Sequence, residues 1–141
     1  LRSSHWPRLV GLYQSPGWLL ILSLEFDMRT IIAGSREGCT WDDVVKATST
    51  CGWDISCVIC GDARGADTLG RVYAQEIGIP CERYPAQWDV YGKSAGYRRN
   101  EQMAGKAEAL IALWDGQSKG TKHMIDIARR RGIPVFVYRV N

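Results

Sequence analysis

Between Met28 and Val140 the sequence alternates five short β-rich runs with four helix-like stretches. The runs cover residues 29–33, 55–60, 80–84, 109–114 and 134–140, and the predicted helices cover 40–48, 66–77, 95–106 and 120–131. Strands that are apolar along nearly their whole length must be covered on both faces. Strands alternating with helices pair in parallel, with the helices as covering layers. The pattern therefore predicts an α/β, three-layer fold with a mostly parallel sheet of about five strands and helices on both faces. Local chemistry agrees. Thr40 stands as an N-cap with Asp43 three residues on. The joints Gly78-Ile79-Pro80 and Gly132-Ile133-Pro134 repeat one helix stop, in which Gly takes the left-handed cap and Pro blocks continuation.

Composition narrows the setting. A chain of 141 residues with 45% hydrophobic and 23% charged residues has room for one core, and is neither wholly disordered, collagen-like nor a coiled coil. A net charge of +3 is small for a strongly cationic nucleic-acid or membrane binder. Residues 1–27 differ from the rest: they hold no Lys, show little periodicity, and their apolar run from Trp18 to Leu22 ends at Ser23. That run is too short to span a membrane and is followed by no small-residue cleavage site. The expectation is an N-terminal extension over 1–27 and a working domain over 28–141; the competing reading is a short amphipathic arm that docks on the domain or a partner. Five cysteines without a secretory signal fit reduced thiols in the cytoplasm. Cys57 and Cys60 have C-x-x-C spacing, but residues three apart on a strand point to opposite faces, so no metal or redox site is expected there.

Ligands of parallel α/β sheets bind beyond the carboxyl ends of the strands. Three loops there carry glycines. The first is Gly34-Ser35-Arg36, which offers close backbone approach, a hydroxyl and a planar cation, but is by itself also an ordinary turn. The second is Gly61-Asp62-Ala63-Arg64-Gly65, followed at once by a helix start with Asp67, a residue suited to cap the helix, to meet a ribose hydroxyl or to hold Arg64. The third runs from Asp115 and Gly116 through Ser118 to Gly120 and Thr121. A third helix start brings Arg99 and Asn100, which either face the crevice or form a solvated basic face; Asn is a poor mid-helix residue without a task. Neither G-x-x-x-x-G-K-[ST] nor G-x-G-x-x-G is present. The three loops together argue for a phosphate-bearing small molecule.

The same segments resemble the SLOG superfamily, in its branch related to YspA and YpsA. The resemblance rests on Gly34-Ser35-Arg36, Gly61, Ala63-Arg64-Gly65-Ala66-Asp67, Tyr91-Gly92, Ala95-Gly96, Arg99-Asn100-x-x-Met103, Trp114-Asp115-Gly116-x-Ser118-x-Gly120-Thr121 and Met124-Ile125, and it covers residues 28–140. It implies a Rossmann-like domain that binds nucleotides or nucleotide-derived ligands such as NAD-related molecules, in sensors or nucleotide-processing modules. Two departures stand out. Asp62 occupies a position that is often Gly in similar proteins. The related lonely-guy phosphoribohydrolases carry P-G-G-x-G-T-x-x-E, and here Met124 stands at the Glu position, which argues against the same glycosidic cleavage.

Three readings follow. The first is binding, by sensing or sequestering, of a nucleotide or nucleotide-derived phosphate ligand such as an NAD-related molecule. The loops of Gly34, Gly61 to Gly65 and Gly116 to Gly120 cradle phosphate, Arg36, Arg64 and Arg99 neutralise it, and Asp67 or Asn100 reads ribose or holds the arginines. The second is a hydrolase of a glycosidic or phosphate bond, with Asp67, Asp115 and Glu101 as candidate catalytic groups. The third is single-stranded nucleic-acid binding by Trp88, Tyr91 and Tyr97 beside Lys93 and Arg98, which the near-neutral charge disfavours. No membrane partner and no metal are expected, and a homo-oligomer is compatible with the sequence.

Overall fold

The structure, a computed structural model, describes residues 7–14, 20–26 and 28–140, the last range with side chains. Pro7–Gln14 (β1) and Leu20–Phe26 (β2) form an antiparallel two-stranded ladder with an irregularity between Leu9 and Gly11. The side chains and packing on which the reading of residues 1–27 depends lie outside the described residues. From Met28 the elements are β3 (Met28–Gly34), α1 (Trp41–Thr50), β4 (Ile55–Cys60), α2 (Ala66–Ile77), β5 (Cys81–Arg83), α3 (Trp88–Tyr91), α4 (Ala95–Ala104), β6 (Ala109–Trp114), α5 (Lys119–Arg130) and β7 (Val135–Arg139).

The last five strands form one parallel sheet in the order β5-β4-β3-β6-β7. Side chains alternate between its faces, as strand geometry requires. Ile31, Ala33, Leu110 and Ala112 meet Met103 and Ala104 of α4 and Met124, Ile127 and Ala128 of α5. Ile32, Val58, Ile111 and Leu113 meet Val44 and Ala47 of α1 and Ala66 and Ala74 of α2. Each of the fully buried Ile and Leu side chains contributes about 1.5–3 kcal/mol over its exposed state. The predicted α/β three-layer architecture is thus the observed one.

Boundaries follow local chemistry. The Thr40–Asp43 capping box forms in both directions, with the Asp43 N–H donating to Thr40 Oγ1 at 3.2 Å and the Thr40 N–H to Asp43 Oδ2 at 2.9 Å. Gly78 and Gly132 take the expected positive φ, 76° and 74°. Helix α4 ends at Ala104, two residues before the predicted end, as the Lys106 N–H turns back to the Met103 carbonyl at 2.9 Å. Strand β5 pairs over only three residues, fewer than predicted. Ahead of α4 the chain folds into α3 and a 3₁₀ turn over Gly92–Ser94, elements too short to show periodicity in sequence.

The chain steps from β3 through β4 to β5, then crosses back to β6 and β7 on the other side. The reversal opens a crevice between the carboxyl ends of β3 and β6, the usual ligand position of such sheets. Gly34 ends β3 there because the Leu113 carbonyl of β6 occupies the space a Cβ would fill. Gly34→Ala is therefore expected to lower unfolding free energy by about 3 kcal/mol in urea titration, as overpacking against fixed backbone does.

Candidate functional site

Ser35 joins three loops. It is buried, and its N–H donates to the Leu113 carbonyl at 3.0 Å. Its carbonyl accepts the Ala66 N–H at the start of α2 at 3.2 Å, and its Oγ accepts the Asp115 N–H at 3.2 Å. Asp115 in turn accepts the N–H groups of Gln117 and Ser118 on Oδ1, both at 2.8 Å. Those backbone donors hold its carboxyl below the usual carboxylate range, so it stays ionised and braces its own loop. Ser118 caps α5, and its Oγ lies 3.1 Å from Thr121 Oγ1.

Around this junction lies a cavity of about 540 Å³, within the range of small-ligand sites. Its polar lining is Ser35, Arg36, Glu37, Asp67, Lys93, Arg99, Asn100, Asp115, Ser118 and Thr121. Its large apolar and aromatic lining is Trp88, Tyr97, Met103 and Met124. Gly34, Ala63 and Gly120 also line it. The first turns of α2 and α5 reach it and add the partial positive charge of two helix starts, while α4 continues directly from the 3₁₀ turn, whose Gly92 carbonyl accepts the Ala95 N–H. A second cavity of about 440 Å³ shares Arg36, Ala63, Trp88 and Arg99 and continues over Gly61, Asp62 and Arg64.

Asp67 is the most perturbed acid of the site. It is 7% exposed, and its Oδ2 accepts the Ala63 N–H at 3.1 Å. Burial raises its pKa to about 6 despite the opposing pull of Arg99 and Arg36. Arg99 reaches inward: Nη1 donates to the Gly61 carbonyl, and Nε donates to Asn100 Oδ1 at 3.2 Å. A Cβ on Gly61 would strike both the Arg99 guanidinium and the Asp67 carboxylate, so glycine here makes room for that pair. Asn100 has a task that excuses it mid-helix. Its Nδ2 donates to the Gly120 carbonyl at 3.2 Å and lies 3.2 Å from His123 Nδ1, tying α4 to the start of α5.

The remaining sequence candidates are placed differently. Arg64 lines the second cavity and not the first, and pairs with Glu37, which lines the first, at 3.2 Å. Asp62 pairs with Arg83 at 3.6 Å. Among the described residues Asp62 is the non-glycine with positive φ, 63°, which explains why Gly suits this position and why Asp, which tolerates that conformation, can replace it. Gly65 and Gly116 line neither cavity; each has positive φ, and a Cβ would strike the Arg36 backbone or the Arg139 guanidinium. Glu101 is exposed and lies outside both cavities. Arg98 remains on the surface over the Tyr91 ring, 4.4 Å from its centroid. Cys60 faces Cys81 of β5 with the sulfurs 3.5 Å apart, a pairing that only strand register reveals.

Lining residues outside the three glycine loops are Ala33, Glu37, Trp88, Lys93, Gly96, Tyr97, Met103 and Met124. Trp88, Lys93 and Tyr97 belong to the aromatic and basic cluster of the nucleic-acid reading, which fits a solvated strip equally well, and Gly96, Met103 and Met124 stand in sequence only as part of the resemblance. No described helix is long and apolar enough to cross a membrane.

No protein-family model matches the chain. Its fold is similar to that of DNA processing protein A (DprA) from Streptococcus pneumoniae, with a TM-score of 0.63, 19% identity and coverage of 79% of this chain. The chain spans about half of that protein's length, 50%. This likeness is one of fold, the Rossmann-like parallel sheet with helices on both faces. In sequence the chain is 32% identical over 117 residues to the Gene 61 protein of Mycobacterium phage D29, covering 76% of this chain and 93% of that protein. The crevice at the strand-order reversal is thus carried by a chain that belongs to the family of this phage Gene 61 protein.

Proposed function

We propose that the protein binds a nucleotide or nucleotide-derived phosphate ligand, of which an NAD-related molecule is an example, and that it belongs to the YspA-related branch of SLOG domains. The observation that carries this reading is the cavity lining, which brings Arg36, Arg99 and the first turns of α2 and α5 together with Trp88 and Tyr97. Gly120 supports it. Its Cβ position has no heavy atom within 4 Å and its φ is ordinary, so packing does not demand glycine there. A glycine at a helix start that the fold does not need leaves space for a ligand against the backbone. The ligand displaces water from between Arg36 and Arg99, and Asp67 and Asn100 hold the arginines in place. Were the ligand turned over, Asp67 is the carboxyl whose burial suits proton transfer near neutral pH. A reducing, cytoplasmic setting fits the five free thiols.

Thermal melts with a panel of nucleotides and ADP-ribose test the reading. A ligand at a hundredfold excess over Kd stabilises by about 2.7 kcal/mol, a shift of several degrees. No shift with any of them at millimolar concentration overturns it. Gly120→Ala separates binding from folding: the unliganded melting temperature is expected to hold or rise, by up to about 1 kcal/mol of helix propensity, while ligand stabilisation drops.

The Asp67 pKa sets a pH dependence. The folded state keeps a proton that the unfolded chain releases between the ordinary carboxyl pKa and about 6, so Asp67 makes stability decline as pH rises through that window. A neutral Asp67 also leaves both arginines free for an anion. Calorimetric affinity for ADP-ribose, whose pyrophosphate does not titrate near pH 6, is expected to rise as pH falls from about 7.5 to 5.5, and Asp67→Asn flattens the profile.

A second reading is single-stranded nucleic acid. It is favoured by the fold shared with a DNA-processing protein and by the exposed Trp88, Tyr91 and Tyr97 beside Lys93 and Arg98. Binding of a single-stranded oligonucleotide that weakens steeply with salt, and falls further in Tyr91→Ala, supports it; affinity that is flat with salt sinks it.

A further inference from the structure

We propose that the aromatic lining of the first cavity, Trp88 and Tyr97, forms a slot for a nucleobase whose phosphate lies against Arg36 and Arg99. This rests on the nucleotide reading above and adds where the base of that ligand lies. Trp88 is 50% exposed and Tyr97 47%, yet both are braced. The Trp88 ring lies against the start of α4 at Gly96, where a Cβ would come within 3.5 Å of it. The Tyr97 ring lies 4.2 Å from the His123 ring, centroid to centroid, at a tilt of 48°. His123 is held by Asn100, and Asn100 by the Gly120 carbonyl. The contacts that fix the α5 start, where phosphate would lie, therefore also fix the Tyr97 ring.

Met103 and Met124 also line the cavity, both 1% exposed, and thioether sulfur packs well on aromatic faces. A bare phosphate would leave the half-exposed Trp88 and Tyr97 side chains in water. A planar heteroaromatic ring joined to the phosphate through a sugar covers them. Its π-face suits stacking on Trp and Tyr, a contact tolerant of base identity.

Calorimetry on the full chain compares AMP, GMP, CMP and UMP with ribose 5-phosphate, which carries the same phosphate and no base. At least one nucleotide is expected to bind about tenfold tighter than ribose 5-phosphate. Trp88→Ala and Tyr97→Ala are each expected to remove most of that difference, with ribose 5-phosphate unchanged within about twofold, and Trp88→Phe is expected to restore it. Equal binding of all five probes, or parallel loss of nucleotide and ribose 5-phosphate in Trp88→Ala, overturns the slot but not the phosphate site. Binding of none of the five overturns the phosphate site and the slot with it.

Discussion

Ser35 sits where three loops meet, and the geometry of the crevice depends on its hydrogen bonds. One backbone carbonyl and one hydroxyl accept N–H groups from the α2 start and from the loop after β6. Both acceptors are buried, so neither loop can move without leaving a polar group unpaired, at a cost of about 1–3 kcal/mol. Gly34 makes this possible by letting β3 and β6 approach without a Cβ between them. The helix starts that give the site its positive character are therefore oriented by the sheet, not by a ligand.

The second determinant is the arrangement over Gly61. Arg99 and Asp67 approach across it, and Asp67 stays largely buried with one backbone donor and two arginines nearby. Ionised, such a group holds the arginines; protonated, it leaves their charge unopposed. The cavity lining sets Arg36, Lys93 and Arg99 against Glu37, Asp67 and Asp115, so the proton on Asp67 alters that balance.

The aromatic lining of the crevice draws on a segment with no regular pattern. The short α3 turn and the Gly92–Ser94 turn bring Trp88 back against α4, and Asn100 and His123 steady Tyr97 from behind. Helix α4 contributes to both linings of the cavity, Arg99 and Asn100 to the polar one and Tyr97 to the aromatic one, while Trp88 comes from α3.

Much of this was legible in sequence. Apolar runs separated by capped helical stretches specify strands and helices locally, because strand periodicity, the Thr40–Asp43 box and the Gly78 and Gly132 stops act over a few residues. The rule that ligands sit at strand carboxyl ends then selected the loops of Gly34, Gly61 and Gly120. What those residues do there required the tertiary structure. Gly61 accommodates two side chains, Gly65 and Gly116 relieve backbone and arginine clashes, and Gly120 leaves open space. Asp62 is paired by Arg83 and not by Arg64, Glu101 faces solvent, and Asp115 is occupied by its own loop. None of this has a local signature, because each depends on which residues distant in sequence share the space. The sequence by itself determined the layers and the edge at which to look. Strand order and side-chain packing decided which groups reach the cavity, since only they set distances between residues far apart in the chain.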